Sequence, residues 1–231
     1  MFFRDIKIIG EYVFIKDYNP WKNRNLWHSG FSIDLIKQVC GNVNNVVEFG
    51  SYDAGDGIRY KYYFPNSNVY SIEASPACYH KIKPLEKYGL KIFNYAVTNK
   101  NGEIDFHGTY DDVLDNYAPC GAIERDLVST DAGSKTLRIL PPIKVPCITL
   151  ETFCKNQGIE YIDLLHVDVE GHDLQAIEGM GKIRAKIIFI EVTGGPGGTH
   201  DHSQQMSELM YSMNYKKIKR YGVNQVWIDN K

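Results

Sequence analysis

Residues 162–171, Ile-Asp-Leu-Leu-His-Val-Asp-Val-Glu-Gly, decide the fold of this chain. Residues 162–169 predict a buried strand, because apolar residues fill most of this short run. A helix is predicted from His172 to about Gly179, and residues 186–192, Lys-Ile-Ile-Phe-Ile-Glu-Val, predict a second central strand. This order of strand, helix and strand is typical of a mainly parallel sheet. The sequence therefore predicts an α/β fold.

The same alternation of strands and helices continues on both sides of this stretch. Residues 46–49 and 69–73 predict two more strands, and an amphipathic helix is predicted before the first of them. Toward the C terminus, the strands predicted at residues 215–221 and 223–228 are joined tightly, so we expect an antiparallel pair that closes the sheet.

The middle of the chain has a weaker pattern. Residues 91–97 and 103–107 predict strands around an Asn- and Gly-containing turn, and they are candidates to pair with each other. Turn-forming residues are frequent in 108–146, and so long an irregular stretch inside a domain is usually functional. We expect a substrate-side insertion there. The whole chain is predicted to form one domain, residues 31–231, with an N-terminal extension, residues 1–30.

Composition and charge exclude several classes of protein. The chain has 231 residues, of which 43% are hydrophobic and 23% charged, and this composition excludes a disordered or fibrous protein. The net charge of −2 gives no general attraction to nucleic acid or to an anionic membrane, so a nucleic-acid partner is not expected. No apolar run approaches the roughly 20 residues of a membrane helix. The five cysteines contain no CxxC pair, so we expect free, mostly buried thiols and a cytoplasmic protein.

A Gly-rich turn follows the strand at residues 46–49 and marks a ligand site. Its glycines do not have the G-x-G-x-x-G spacing that binds the pyrophosphate of a dinucleotide. Glu48 precedes this turn, and a carboxylate there suits an ammonium group better than a phosphate. Glu73 ends the next strand, where carboxylates of such folds accept both hydroxyls of a ribose. A nucleoside that carries an amino acid satisfies both conditions, which indicates S-adenosylmethionine.

Several blocks of the chain resemble the FkbM family of class I S-adenosylmethionine-dependent O-methyltransferases. They lie within residues 44–192 and read VVEFGSYDAGDG, VYSIEASP, NYAVTNKNGEIDFHG, VPCITLETF and YIDLLHVDVEGHDLQAIEG. The resemblance implies a Rossmann-like sheet of seven strands, mostly parallel with the last strand antiparallel, and helices on both faces. It also implies transfer of a methyl group to a hydroxyl, commonly of a sugar or a natural product.

The resemblance also assigns the cofactor residues one by one. Ala54 stands where many class I enzymes have glycine, so which of Asp53 and Asp56 reaches the cofactor stays open. The residues implied for the methionine end are Glu48, Gly50, Ser51 and Tyr52. Asp53 and Asp56 belong to the turn, Glu73 binds the ribose, and Ala74, Tyr95 and Ala96 flank the adenine. Asp168 is a further candidate cofactor residue.

The strand at residues 162–169 also carries candidate catalytic groups. Side chains alternate along a strand, so His166, Asp168 and Glu170 are predicted to share one face at the edge where open α/β sheets bind ligands. Methyl transfer to an alcohol needs a group that takes the hydroxyl proton, and neutral imidazole suits this role. His166, which replaces the lysine of the family signature, is one candidate base. Alternatively, His166 lies too deep and bonds to Asp168, and His172 or a loop histidine is the base.

A divalent cation is a further option at this edge. Asp168, Glu170 and Glu191 offer oxygen ligands of the kind that Mg²⁺ prefers. We favour the alternative without a metal, in which Asp168 contacts the cofactor or the substrate and Glu170 caps the following helix. Residues 194–198, Gly-Gly-Pro-Gly-Gly, predict a flexible glycine loop. His200 and His202 follow it, and a metal site at these two histidines is disfavoured. We expect these two histidines and Glu191 to contact the substrate.

The acceptor is the least defined part of the prediction. Aromatic residues of the extension, Trp21 and Trp27 among them, suit the face of a sugar, although they equally suit packing onto the core. We expect a carbohydrate or another small-molecule acceptor. The alternatives are a small natural-product or ribose hydroxyl as acceptor, a NAD-dependent oxidoreductase, and a non-catalytic binding module with this fold.

Overall fold

Strands and helices alternate through the computed structural model, which describes residues 4–18, 20–21, 25–128, 137–194 and 200–231. The strands, in chain order, are β1 (Ile6–Ile9), β2 (Tyr12–Ile15), β3 (Leu26–Trp27), β4 (Asn45–Phe49), β5 (Asn68–Glu73), β6 (Leu90–Asn94), β7 (Ala96–Val97), β8 (Gly102–Asp111), β9 (Asn116–Ala122), β10 (Leu137–Ile139), β11 (Ile143–Ile148), β12 (Ile162–Val167), β13 (Ala185–Glu191), β14 (Thr193–Gly194), β15 (His200–Asp201), β16 (Tyr215–Tyr221) and β17 (Asn224–Asp229). The α-helices are α1 (Ile33–Cys40), α2 (Gly55–Tyr63), α3 (Pro76–Ile82), α4 (Leu150–Gln157), α5 (Asp173–Glu178) and α6 (Ser203–Ser212), and two 3₁₀-helices span Lys83–Tyr88 and Arg125–Leu127.

The central sheet has seven strands in the order β16-β17-β13-β12-β4-β5-β6. The five strands from β13 to β6 are parallel to one another, and β17 is antiparallel to both β13 and β16. The predicted fold class is therefore confirmed. From β4 the chain runs to β5 and β6 on one side and later returns to β12 and β13 on the other. Open α/β sheets bind ligands at such a switch point, outside the carboxyl ends of the strands.

Helices cover both faces of this sheet, as the resemblance implied. Val46 and Leu164 belong to the apolar cluster on one face, to which α1 and α2 contribute. Val47 and Leu165, the next residue in each strand, belong to the cluster on the other face, to which α4, α5 and α6 contribute. All four side chains are fully buried, and each such burial contributes about 1.5–3 kcal/mol. The period-two alternation thus fixes which residues face which helices.

Hydroxyl side chains cap the N-terminal ends of α3 and α4. The Ser75 hydroxyl accepts a hydrogen bond from the Cys78 N–H at 3.3 Å, and Pro76 lies in the first turn of α3. The Thr149 hydroxyl accepts one from the Thr152 N–H at 3.1 Å. Both caps satisfy backbone donors that have no partner inside the helix.

The middle of the chain is more regular than its sequence suggested. The two predicted strands around the turn at residues 98–102 do not pair with each other, because β11 lies between β7 and β8. Val145 and Cys147 of β11 are buried with Ala96 and Phe106, and this apolar contact explains the inserted strand. Most described residues of 108–146 lie in β8, β9, β10 and β11 and not in irregular chain. The turn-forming residues 129–134 lie outside the described residues.

The N-terminal extension forms a small antiparallel sheet of its own, β1-β2-β3. Ile6, Val13 and Leu26 are buried in the same cluster as α1 and α2, so the extension shares the core of the main sheet. No helix in the described part of the chain is long and apolar enough to cross a membrane. The five cysteines are buried and free, as predicted.

The start of β12 is joined to the start of β4 by one buried carboxylate, which we expect to be important for stability. Asp163 Oδ2 accepts the backbone N–H groups of Asn44 and Asn45 at 2.7 and 3.0 Å. We predict that Asp163→Ala lowers the free energy of unfolding by about 1–3 kcal/mol, because both donors lose their partner. Urea denaturation measures this change. The matched control is Asp105→Ala, whose exposed ion pair with Lys144 should contribute less than about 1 kcal/mol. Equal losses in the two variants would contradict the prediction.

Candidate active site

A cavity of about 360 Å³ lies at the carboxyl ends of β4, β5 and β12. This is within the usual range for a small-molecule site. The cavity brings together most of the side chains that were predicted from the sequence. The predicted residues that line it are Glu48, Gly50, Ser51, Tyr52, Asp53, Asp56, Glu73, Ala74, Tyr95, Ala96, His166, Asp168 and Glu170.

The turn after β4 brings two strand ends into close contact. Gly50 has a φ of +74°, and an ideal Cβ there would lie 1.7 Å from the carbonyl oxygen of Asp168. Glycine is therefore required sterically at this position. Ala54 is also left-handed, with a φ of +58°, which accounts for the glycine that many class I enzymes have there. The absence of a side chain at Gly50 thus lets the turn after β4 pack directly against the backbone at the end of β12.

Glu73 is held at the tip of β5 by backbone donors. Its Oε2 accepts the N–H of Tyr52 at 2.8 Å, and its Oε1 accepts the N–H of Ser75 at 2.7 Å. Burial raises the pKa of this carboxyl to about 7, although the two hydrogen bonds favour the charged form. Each oxygen keeps a lone pair, so Glu73 can still accept two hydroxyl groups.

Asp53 and Asp56 join the turn to the N-terminal extension. Asp53 Oδ2 accepts the N–H of Trp27 at 2.9 Å. Asp56 Oδ2 accepts the N–H of Ser29 at 2.7 Å, and the Ser29 hydroxyl donates to Asp56 Oδ1 at 3.0 Å. Both aspartates line the cavity, but both already bind backbone donors of the extension. The sequence did not predict this role for either residue.

His166 lies deep in the cavity wall, beside Glu48 of the neighbouring strand. Its Nδ1 is 3.1 Å from the Tyr60 hydroxyl, and within the described part of the chain its buried Nε2 has no hydrogen-bond partner. The predicted alternative, a hydrogen bond between His166 and Asp168, is therefore not present in the structure. Tyr60 lies on α2, outside every motif, and no signal in the sequence pointed to it.

Carboxyl groups crowd the end of β12. Burial, followed by the charge of Asp168, raises the pKa of Glu191. Burial, followed by the charges of Asp168 and Asp173, also raises the pKa of Glu170. Glu170 has a φ of +55°, a left-handed conformation that is costly for a residue with a side chain. Crowding and strain of this kind are typical of functional sites.

Asp173, and not Glu170, satisfies the backbone at the start of α5. Its two carboxyl oxygens accept the N–H groups of Val169 and Gly171 at 3.1 and 3.0 Å. Burial raises the pKa of Asp173 to about 7. The predicted capping role of Glu170 is thus wrong, because the left-handed turn at Glu170 directs its side chain to the cavity wall.

Four of the predicted residues do not line the cavity: His172, Glu191, His200 and His202. His172 Nε2 is 2.9 Å from the Thr98 hydroxyl, and burial lowers the pKa of this histidine to about 4. His200 lies in β15, which pairs with β14. Residues 195–199, which include most of the predicted glycine loop, lie outside the described residues. The geometry therefore favours His166 over these histidines as a base.

A metal site is not favoured by the arrangement of ligands. Among the described residues, Glu48, Asp56 and His166 have ligand atoms within 4.8 Å of one another. The predicted ligands Asp168, Glu170 and Glu191 do not come this close together. Ser71 donates to Glu48 at 2.6 Å, and the hydrogen bonds described above occupy Asp56. These contacts account for the cluster without a cation.

The remaining wall of the cavity comes from β8, β9 and the extension, which the sequence did not predict in detail. Trp27 of β3 lines the cavity and is 42% exposed. The Tyr52 hydroxyl donates to the backbone carbonyl of Tyr117 at 2.9 Å and so ties β9 to the Gly-rich turn. Other lining residues from these strands are Phe106, Gly108, Thr109 and residues 118–122.

A family model, the methyltransferase FkbM domain, matches residues 48–217. The chain belongs to the FkbM methyltransferase family. The 2-O-methyltransferase NoeI of Sinorhizobium fredii (strain NBRC 101917 / NGR234) is 28% identical over 156 residues. That match covers 63% of this chain and 60% of NoeI, so the chain matches less than two thirds of the length of this relative.

Two solved structures align with most of this chain at low sequence identity. The fibrillarin pre-rRNA processing protein of Methanococcus jannaschii aligns with a TM-score of 0.47 at 10% identity, over 100% of this chain and 84% of that one. TrmK of M. capricolum, solved with S-adenosylhomocysteine, aligns with a TM-score of 0.38 at 14% identity, over 86% of this chain and 67% of that one. The fold assignment rests on the strand order of the sheet and on the family match.

The FkbM family is one of S-adenosylmethionine-dependent methyltransferases, and the lining of the cavity is acidic. Six carboxyl groups line it, and none of its described lining residues is Lys or Arg. A positively charged ligand is suited to such a cavity, whereas a pyrophosphate would lack cationic partners. The spacing of the glycines and the charge of the cavity thus both disfavour a NAD-dependent oxidoreductase.

The strain of the left-handed backbone at Glu170 of this FkbM domain can be measured by substitution. We predict that Glu170→Gly unfolds with a free energy about 1 kcal/mol higher than Glu170→Ala, because only glycine adopts this φ without strain. Both variants lose the same carboxyl group, so their difference isolates the backbone. Chemical denaturation of the two variants measures it. A glycine variant that is less stable than the alanine variant would show that Glu170 is unstrained.

Proposed function

We propose that this chain is an S-adenosylmethionine-dependent O-methyltransferase that acts on a hydroxyl group of a saccharide. The observation that carries the proposal is the acidic cavity at the tips of β4, β5 and β12, in a chain of the FkbM family. Its carboxylates suit a cationic nucleoside, and its histidine suits removal of a hydroxyl proton.

The donor-binding groups follow from their positions along the wall. We propose that Glu48 faces the methionine ammonium and that Glu73 accepts the ribose hydroxyls. Tyr95 lies between β6 and β7, and Ala96 begins β7. Both line the cavity, and we propose that they flank the adenine. S-adenosylmethionine, when bound, supplies a methyl group on a sulfonium and leaves a neutral thioether. The work left to the protein is orientation of the acceptor and removal of one proton.

His166 is the group proposed to remove that proton. As the hydroxyl oxygen forms its new bond to carbon, its proton passes to the Nε2 of His166. This nitrogen has no partner among the described residues, and a buried polar atom without a partner is costly unless a ligand uses it. Asp168 and Glu170 lie on the same wall and are proposed to orient the hydroxyl.

The saccharide acceptor is supported by two observations. The relative NoeI is named a 2-O-methyltransferase, which favours an oxygen acceptor. Trp27 lines the cavity with 42% of its surface exposed, and aromatic faces stack well on apolar sugar faces. Because the matched region spans 60% of NoeI, the acceptor of the whole protein is part of this proposal.

We also propose the domain division and the location of the protein. Residues 31–231 would form the methyltransferase domain, and residues 1–30 an extension that completes the cavity wall through Trp27. The five free cysteines support a reducing compartment such as the cytoplasm.

The pKa of Glu73 gives a pH dependence to donor binding. Since burial raises this pKa to about 7, the carboxyl is mostly protonated at pH 6 and mostly ionised at pH 8. The ionised form accepts two ribose hydroxyls, so we predict that affinity for S-adenosylmethionine rises up to roughly tenfold between these pH values. Titration calorimetry measures the affinity. Glu73→Gln should bind weakly at both pH values, and the surface variant Glu86→Gln should behave like the wild type.

The unfolding free energy of the protein without donor tests the same carboxyl group of Glu73. Its dependence on pH is opposite in direction to that of donor affinity. A carboxyl whose pKa is raised by folding binds its proton more tightly in the folded state. Its contribution to stability is therefore present at low pH and is lost as the pH rises from about 4.5 through 7. Glu73→Gln should reduce this slope of the unfolding free energy, and the remaining slope comes from other buried carboxyl groups such as Asp173. An unchanged slope would mean that Glu73 is not the titrating group.

Isotope-labelled S-adenosylmethionine tests the proposed reaction directly. Incubation with a panel of glycans, small phenols and RNA, followed by mass spectrometry, should show label on a glycan hydroxyl. Asp168→Ala should lose turnover while donor binding survives, with the exposed Asp105→Ala as a matched control. Label on RNA or on a phenol would contradict the saccharide acceptor. Donor binding without any labelled product would favour a non-catalytic binding module.

A further inference from the structure

Three exposed apolar residues form a row across the sheet of the N-terminal extension. Ile9 of β1 pairs with Tyr12 of β2, and Tyr12 pairs with Trp27 of β3. Residues directly opposite one another on antiparallel strands share a face, with Cβ atoms about 4.5–5.5 Å apart. The three residues are 61%, 47% and 42% exposed, whereas their neighbours Val13 and Leu26 face the core and are buried. We call Ile9, Tyr12 and Trp27 the outer row.

The outer row begins at the cavity and leads away from it. Trp27 lines the cavity, and Tyr12 and Ile9 lie on the next two strands of the small sheet. We propose that the outer row is a subsite for a second sugar unit. The acceptor is then an oligosaccharide whose reacting unit lies beside Trp27 and whose neighbouring unit stacks on Tyr12. This inference rests on the proposed function and specifies its substrate class.

The backbone of Trp27 is fixed against the turn after β4. Its N–H donates to Asp53 at 2.9 Å. Its carbonyl oxygen lies so close to Gly55 that an ideal Cβ there would be 1.8 Å away. Trp27, which connects the cavity to the rest of the outer row, is thus held from two sides. A ring on fixed backbone loses less conformational freedom when a ligand stacks on it.

The outer row meets the cavity at the end that holds the proposed base. Ser29, two residues after Trp27, donates its N–H to Asp56 at 2.7 Å, and Asp56 Oδ2 is 4.0 Å from Nδ1 of His166. The proposed adenine end, at Tyr95, follows β6, which is the edge strand of the central sheet and two strands away from β4. A sugar that stacks on Trp27 is therefore on the acceptor side of the cavity and not on the donor side.

The chemistry and the size of the outer row favour a sugar over a protein partner. None of its three members is charged, and an aromatic face stacks on the apolar face of a sugar while the Tyr12 hydroxyl can bond to sugar hydroxyls. The row exposes about 300 Å² of surface, whereas a stable protein interface buries about 800 Å² on each partner. The row also lies outside residues 48–217, so it belongs to the extension of this chain and not to the family segment.

A binding series tests the subsite without methyl transfer. The probes are glucose, galactose, mannose and N-acetylglucosamine, each as the monosaccharide and as oligomers of two to four units. They are titrated by calorimetry into the full-length protein with S-adenosylhomocysteine present. We expect at least one series in which the disaccharide binds about tenfold more tightly than the monosaccharide, because it gains one stacked ring. In Tyr12→Ala this ratio of affinities should fall to about one.

Three further variants keep the test decisive. Tyr12→Val removes the ring but suits a strand, so it should lose the same ratio even if Tyr12→Ala folds poorly. Tyr12→Phe keeps the ring and should retain most of the ratio. The matched control is Tyr161→Ala, whose position is 39% exposed and directly precedes β12, at the end of the sheet opposite to the cavity. It should leave the ratio unchanged.

Several results would overturn the subsite. Equal affinity for monosaccharide and disaccharide in every series would do so, as would an unchanged ratio in Tyr12→Val. A dimer in analytical ultracentrifugation that Tyr12→Val dissociates would assign the outer row to a second copy of the chain. A gain with length but no labelled glycan would count against the proposed function alone. Methyl transfer to a monosaccharide without a gain with length would count against the subsite alone.

Discussion

The close contact between Gly50 and the carbonyl oxygen of Asp168 is the constraint on which the site depends. It exists because Gly50 has no Cβ and adopts a left-handed φ, so the ends of β4 and β12 meet without a side chain between them. This contact sets the depth of the cavity and brings Glu48 and Asp168 into one wall. A larger residue would separate the two strand ends and the carboxyl groups that they carry.

The central strands and the residues at their ends can be located from short-range patterns in the sequence. Strand periodicity locates β4, β5, β12 and β13, and a residue at a strand end falls at the ligand edge of a parallel sheet wherever the helices pack. Glu48 and Glu73 were found in this way, and both line the cavity. The period-two pattern also placed His166 and Asp168 in the same wall, because that pattern is a property of the strand alone.

The predictions that failed depend on tertiary packing. His172, His200 and His202 come soon after central strands in the sequence, yet the chain turns away from the cavity before it reaches them. Tyr60 is one of several aromatic residues on α2, and its contact with His166 depends on the rotation of that helix. The insertion of β11 between β7 and β8 likewise brings together residues about forty positions apart, which no local pattern reveals.

The carboxyl groups of Asp53 and Asp56 have a consequence for protein engineering. Each is inside the family segment, but the donors that satisfy them, the N–H groups of Trp27 and Ser29, are outside it. A chimera that grafts residues 48–217 onto a foreign N terminus would leave two buried anions with fewer donors. Exchange of parts between related methyltransferases would therefore need a junction ahead of β1, so that the first three strands stay with the domain.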